Sequence, residues 1–411
     1  MLNISVYLRS FAVQNSEVSS SHSLFKQRSI GKMSQHQHRP LRCGWVSHTS
    51  SSPMNSLINT PDNTELDELC GFLASLPDDS TWPEEALQRC AKAGFFRWFV
   101  SEEQGGFGWS STDIAKGYMQ LSKANLTVTF ILTQRVAALR RIAGCENEEL
   151  KQRLLEPLLS GSQTATVGIS HLTTSRQHLG KPVLSATETD NGFCVNGQSP
   201  WVTGGNGADW ILMGGSMIGK SGTTDGREVL FLAKTKDDNV NVKDGFDLIA
   251  LSSSHTGAVE VHDVVVPKSN IVAGPIENVL TGNGGGAGGL QTSVLALGLS
   301  KAAIDFIESE AKHREDLAPA QTALRQELNT LCQELFAATD GSTEVTAAEI
   351  RSRANSLALR ATQSALVAAK GAGFVKGHPV GRWCREALFF LVWSCPHAVS
   401  QANLDEFAPC S

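Results

Sequence analysis

The run Asn196-Gly197-Gln198-Ser199-Pro200-Trp201-Val202-Thr203-Gly204-Gly205, continuing to Ala208-Asp209-Trp210, carries the most chemistry in this sequence. Asn-Gly tolerates positive φ at both positions. It therefore predicts a two-residue hairpin turn between strands at Gly192–Val195 and Trp201–Thr203. Alternation along the second strand puts Trp201 and Thr203 on one face. That face offers a broad indole and, two residues on, a hydroxyl that can donate or accept a hydrogen bond. The combination suits a flat, polar-edged heterocycle such as a flavin. An ordinary hairpin with a half-buried Trp would read the same way.

Two further stretches imitate phosphate loops. Gly214 to Ser221 matches G-x-x-x-x-G-K-[ST] letter for letter. The mechanism needs a helix after the loop, so that its N-terminal amides face the phosphates. Here Gly222–Gly226 reads as a turn leading to the strand-like Val229–Leu232, so a connection between strands is expected. Gly284-x-Gly286-x-x-Gly289 matches the dinucleotide fingerprint, but no apolar strand leads into it. It reads as a hinge.

The elements that must position these residues fall into three blocks. From Asp62 to about Ser160 the apolar spacing is helical, with Asp62 as the expected first cap and helices over Pro83–Ala93, within Ser111–Gly144 and over Glu148–Leu159. From about Gln163 to Pro267 short strands alternate with Gly- and Asp-rich turns, which predicts a mostly antiparallel sheet or barrel. After the Gly-rich loop 282–289, Leu290–Lys312, Gln321–Ala338, Thr346–Lys370 and Gly381–Phe407 predict a four-helix bundle. The expected fold class is α+β and multidomain: a helical domain over 61–160, an antiparallel β domain over 161–280 and a C-terminal bundle over 281–411.

Composition narrows the function classes. A net charge of −6 and a pI near 6.0 argue against nucleic acid or an anionic membrane as the main partner. No apolar run reaches the length of a membrane span, and mean hydropathy is −0.12. The 9 cysteines are scattered with no Cys-x-x-Cys pair, which reads as reduced thiols and neither a disulfide framework nor a metal site. A cytoplasmic location follows. Residues 1–60 stand apart, rich in Ser, His and basic residues with Glu17 the only acid. They read as a disordered tail, a mis-started segment (Met33 and Met54 are alternative starts) or a transit peptide, the last implying mitochondria.

The block order and several local motifs resemble the acyl-CoA dehydrogenase family of FAD-dependent oxidoreductases, over about residues 65–407. Ser101-Glu102-Glu103-Gln104-Gly105-Gly106-Phe107-Gly108 is similar to the family's Pro-Glu-Glu-x-Gly-Gly-x-Gly loop. Asn196-Gly197 with Trp201-Val202-Thr203 resembles its flavin-binding segment, and Val261-His262-Asp263-Val264-Val265-Val266-Pro267 its strand ending in Val-Pro. Gly371-Ala372-Gly373-Phe374 and Arg385-Glu386-Ala387 resemble its Gly-Gly-x-Gly and Arg-Asp-Ala patterns. The resemblance implies FAD as cofactor, an acyl thioester as substrate and a homodimer or homotetramer packed through the bundles. It implies that Trp201 flanks the isoalloxazine, that Thr203 bonds near its reactive nitrogen and that Ser170 lies near its pyrimidine end. Arg314, Gly371 and Gly373 would approach the cofactor of a neighbouring subunit.

The departures concern the base. Dehydrogenation of an acyl thioester needs a group to take the α-proton. The family's usual Glu falls at Ser394, in Ser394-Cys395-Pro396, and a serine hydroxyl needs an activating partner. An alternative family position falls near Gly288. The first Gly of the Gly-rich pattern is Lys370, and the loop after Ser170 reads His171-Leu172-Thr173-Thr174-Ser175. His171 and His178 are therefore candidate bases, since histidine titrates near neutrality. Three functions remain open: a dehydrogenase with a relocated base, a flavin monooxygenase on the same fold, and a non-catalytic scaffold.

Overall fold

The computed structural model describes residues 57–61, 63–172, 182–281 and 289–409. The expectations for residues 1–56, Asp62, His178 and the glycines Gly284, Gly286 and Gly288 lie outside the described residues.

Helices α1 (Thr64–Ala74), α2 (Glu84–Lys92), α3 (Ser111–Ala124), α4 (Leu126–Ala143) and α5 (Glu148–Ser160) precede the sheet. Asn63 caps α1, its side chain accepting from Glu65 N at 2.8 Å. Ser110, Asn125 and Asn147 cap α3, α4 and α5 in the same way, each satisfying an amide that the first helical turn leaves open. Helix α4 is buried almost all round and packs on β1 (Ala165–Gly168). It is a central strut and not an amphipathic surface helix.

The sheet adds β2 (Leu184–Thr189), β3 (Gly192–Val202), β4 (Trp210–Ile218), β5 (Thr224–Lys234), β6 (Val240–Val242), β7 (Gly257–Pro267) and β8 (Ile271–Ile276). The strand order is β6-β7-β3-β2-β4-β5-β8, with β1 paired to β4 in parallel. Short parallel contacts join β2 to β4, and the other pairings are antiparallel. Period-2 alternation sorts β4 and β5 between two cores. Trp210, Leu212, Leu230 and Leu232 join the core shared with the helices, whereas Ile211, Met213, Val229 and Phe231 face a core internal to the sheet.

The hairpin expected at Asn196-Gly197 is absent. Strand β3 runs unbroken from Gly192 to Val202, and the two-residue turn is Asp190-Asn191, between the paired Thr189 and Gly192. Asn196-Gly197 instead lies inside β3 opposite a bulge of β7, where Val195 to Gly197 faces the longer span Val264 to Val261 and Asp263 takes φ +51. Gly197 has φ +130, and an added Cβ would lie 2.3 Å from the Val183 carbonyl oxygen. The positive-φ tolerance that signals a turn serves a close backbone approach inside a strand equally well. The Gly214–Ser221 stretch is the end of β4 and its turn into β5, with no helix behind it.

The bundle comprises α6 (Leu290–Ala311), α7 (Ala318–Thr339), α8 (Ala347–Ala369), α9 (Pro379–Phe389) and α10 (His397–Phe407). Among the described residues α6 alone is long and apolar enough to cross a membrane, and it is a mostly buried core helix packed on α3 and α8. Its Gly298 lets the helices meet: an added Cβ would lie 2.7 Å from the Met119 carbonyl oxygen. The single helix expected over Gly381–Phe407 is broken. Phe390–Pro396 turn between α9 and α10, with Ser394 at φ +43 and Pro396 as the cap of α10.

Candidate active site

The residues singled out in the sequence lie in three places: the rim of the sheet, the end of α8, and the turn between α9 and α10. At the rim, Trp201 is 48% exposed and meets Phe246 edge-to-face at 4.9 Å. Thr203 is buried, its hydroxyl 2.9 Å from that of Thr256, which is 2.8 Å from that of Ser254. The Thr203 carbonyl accepts from the Thr166 hydroxyl at 2.8 Å. Trp201 and Thr203 do not share one strand face as expected. Strand β3 stops at Val202, and its pairing with β7 slips between Ser199 and Val202, so the alternation is lost. The indole is half open while the hydroxyl heads a buried row of three.

The backbone just beyond is clamped from the helical side. Trp82 covers the turn at Gly204–Gly207, where a Cβ on either glycine would approach its ring to 2.6 or 2.3 Å. Arg135 of α4 donates to the Gly207 carbonyl at 3.0 Å. Burial lowers its guanidinium to about 10.

Ser170 and His171 form a 3-10 turn directly after β1. His171 is buried, and its Nε2 lies 2.7 Å from the Gly214 carbonyl of β4. A carbonyl only accepts, so this nitrogen carries the proton and the imidazole is pinned to the sheet. Nε2 of this candidate base thus anchors the turn to the sheet.

Arg314 reaches the end of α8, just ahead of Gly371 and Gly373 in the chain. Arg314 Nη1 donates to the Ala368 carbonyl at the end of α8 at 2.7 Å, and Nη2 lies 3.3 Å from Asp316. Gly371 is exposed, and a Cβ there would meet nothing within 4 Å. Gly373 is buried against Ala369 and Leu366. Between them and α8, Lys370 takes φ +53, a conformation that costs a side-chain-bearing residue of order 1–3 kcal/mol.

Ser394 sits in the third place, partly buried. The preceding Trp393 stacks on Phe389 at 5.0 Å and meets Phe130 of α4 edge-on at 4.9 Å. Arg351 and Asn355 of α8 donate to the Phe390 carbonyl at 3.1 Å each, and Arg351 to that of Trp393 at 3.0 Å. These contacts satisfy carbonyls that the end of α9 leaves open.

Sequence reasoning missed a cleft of about 860 Å³ between the α1–α2 loop, the start of α4, residues 248–253 and residues 373–385. Of the predicted residues only Gly373 lines it. Its polar wall carries Arg382, and Arg385 pairs with Asp78 across its edge. Behind lies Glu386, 2% exposed, with Oε1 3.5 Å from the Thr127 hydroxyl and 3.8 Å from Arg382 Nε. Burial pushes this carboxyl up. The Arg-Glu-Ala match was the available signal, but it gave no hint of burial. Among the described residues no cluster of His, Cys, Asp and Glu could hold a metal ion.

A helical block, an eight-stranded sheet with a half-open Trp at its rim and a helical bundle define a three-part, mainly helical fold. The family model for the acyl-CoA dehydrogenase N-terminal domain matches residues 68–162. A probable acyl-CoA dehydrogenase of Bacillus subtilis (strain 168) is 23% identical over 331 residues, which are 74% of this chain and 84% of that protein. The oxygenase subunit of a flavin-dependent monooxygenase from Rhodococcus jostii (strain RHA1) is 24% identical over 216 residues, 52% of this chain and 49% of its own. The structure of butyryl-CoA dehydrogenase from Megasphaera elsdenii superposes with a TM-score of 0.69 at 17% identity, covering 84% of this chain and 97% of that one. The chain is thus similar to acyl-CoA dehydrogenases in its N-terminal domain by family model and over most of its length by fold.

Proposed function

We propose that the chain is an FAD-dependent oxidoreductase that removes hydrogen from the α and β carbons of an acyl thioester, with a proton acceptor other than a carboxylate at position 394. The observation that carries this reading is the half-open Trp201 beside the buried hydroxyls of Thr203, Thr256 and Ser254. A flavin ring needs an apolar platform and hydrogen-bonding groups along its polar edge, and the rim supplies both. The open backbone at Gly371, with the cations of Arg314 and Lys370 beside it, fits the phosphates of a flavin nucleotide held by a neighbouring copy. When bound, the flavin supplies the hydride acceptor. The chain's own task is to hold the ring and thioester in register and to move a proton.

The test is reconstitution with FAD under anaerobic conditions, following the visible flavin band while acyl-CoAs of different chain lengths are added. Bleaching supports the dehydrogenase. Flavin that binds but is bleached by no thioester favours the monooxygenase reading, which the serine at 394 and the Rhodococcus relative support. Failure to hold flavin overturns both and leaves a scaffold.

A further inference from the structure

The cleft of about 860 Å³ has largely apolar walls. Leu76 and Pro77 come from the α1–α2 loop, Ile249 and Leu251 from the β6–β7 connection, and Leu366 from α8. The same β6–β7 connection builds the sheet rim. Phe246 meets Trp201, Ser254 ends the hydroxyl row of Thr203 and Thr256, and residues 248–253 between them line the cleft. The cleft therefore adjoins the rim along one continuous stretch of chain.

One cation in this wall is left over. The Arg382 side chain is 11% exposed and makes no hydrogen bond to any described residue, its buried Nε included. Among the described residues the one carboxylate within 4 Å is that of Glu386, 3.8 Å from Nε and so beyond hydrogen-bond reach. Burial pushes that carboxyl up, so it offsets the guanidinium poorly. The carboxylates that line the cleft are committed elsewhere. Asp78 pairs with Arg385, Asp79 accepts from the Thr81 amide, Glu84 accepts from Trp82 Nε1 and Gln88, and Glu85 pairs with Arg89. His378 is spent on the Val380 amide, and Lys376 is exposed to water, which screens it. A guanidinium drawn out of water is costly until an acceptor completes it. Its planar fork matches a carboxylate, whose single charge one arginine can balance. Apolar walls with one unspent guanidinium fit a ligand with an apolar body and a carboxylate head.

We propose that the cleft takes the tail of the substrate and that this tail ends in a carboxylate held by Arg382. The inference rests on the acyl thioester reading given above and narrows the substrate to acyl thioesters of dicarboxylic acids. The reacting end faces the rim, and the chain runs along the apolar wall of residues 248–251. Arg382 is then a specificity residue, which binds the end that does not react and moves no proton. A plain alkyl tail would bury against the same walls but leave the guanidinium without an acceptor, so it binds more weakly.

Two measurements on the full chain test this. The first is calorimetry of the FAD-loaded protein with adipyl-CoA and hexanoyl-CoA, which have equal chain lengths and differ only at the far end, carboxylate against methyl. Adipyl-CoA should bind about tenfold tighter, the low end of what a hydrogen bond to a charged group supplies. Arg382→Gln, which keeps a donor toward Glu386, should erase that preference and leave hexanoyl-CoA binding as in the parent. Equal affinity in the parent, or a preference that survives Arg382→Gln, overturns the carboxylate site while the dehydrogenase reading stands. The second needs neither thioester nor variant. Phenylglyoxal modifies open guanidinium groups, and mass spectrometry locates the modified residues. Hexanoate should protect Arg382 and hexanol should not. Protection by both or by neither overturns the site, as does an Arg382 that the reagent never reaches. A parent that binds neither thioester overturns the dehydrogenase reading and the substrate tail with it, and protection by hexanoate alone then decides whether Arg382 holds a carboxylate.

Discussion

The sheet rim at Trp201–Thr203 and the turn at Phe390–Pro396 are both held in irregular backbone, but by different means. The rim is fixed mainly by neutral groups, the hydroxyls of Thr166, Thr203, Thr256 and Ser254 and the ring of Trp82, with the Arg135 guanidinium held just beyond on the Gly207 carbonyl. The turn is fixed by a buried cation, an amide and an aromatic trio, with a serine in the left-handed region at its tip. Neutral hydroxyl rows are satisfied internally. A buried guanidinium favours negative charge near it. The two regions therefore differ in how much charge lies within their own backbone contacts.

The comparison can be broken most severely at Gly197. Gly197→Ala should cost about 3 kcal/mol or more, because φ +130 and a Cβ 2.3 Å from the Val183 carbonyl leave no relaxed alternative. The urea midpoint reads this, and a loss below about 1 kcal/mol would show that the close approach at Gly197 does not hold the rim. Trp393→Ala should cost about 2–3 kcal/mol by emptying the aromatic cluster with Phe130 and Phe389. It should also raise hydrogen exchange across residues 390–396 more than anywhere at the rim.

Next comes Glu386, whose carboxyl burial holds above its ordinary range. A raised folded pKa means that the folded chain binds the extra proton. Stability is then fullest below the unfolded value of about 4.3 and falls as pH rises toward the folded one, by about 1.4 kcal/mol for each pH unit between the two. Glu386→Gln should flatten that slope and make the protein more stable than the parent at alkaline pH. Thermal melts across pH check it, and an unchanged slope would mean that Arg382 already neutralises the carboxylate. The smallest effect belongs to the rim. Thr203→Val should cost about 1 kcal/mol, since Thr256 keeps Ser254 as a partner. Flavin retention should fall more than stability does, and an equal fall in both would make the hydroxyl row purely structural.

Much of this molecule is legible in the chain. Helix periodicity and strand alternation announce the three blocks, because they depend on neighbours a few residues apart, and the false phosphate loop at Gly214–Ser221 is betrayed by the strand after it. The first cap is one residue later than expected, at Asn63. Local chemistry also permits two answers where the fold must choose one. Asn196-Gly197 allows a hairpin turn or an unbroken strand, and only the close Val183 carbonyl and the pairing with β2 and β7 select the strand. The anchoring of His171 Nε2 to the Gly214 carbonyl is likewise invisible in the sequence. The break at Ser394 and the burial of Glu386 and Arg351 leave no periodic trace. Each arises where segments far apart in sequence meet, and desolvation, which sets the behaviour of a charge, is a property of that meeting and not of the residue.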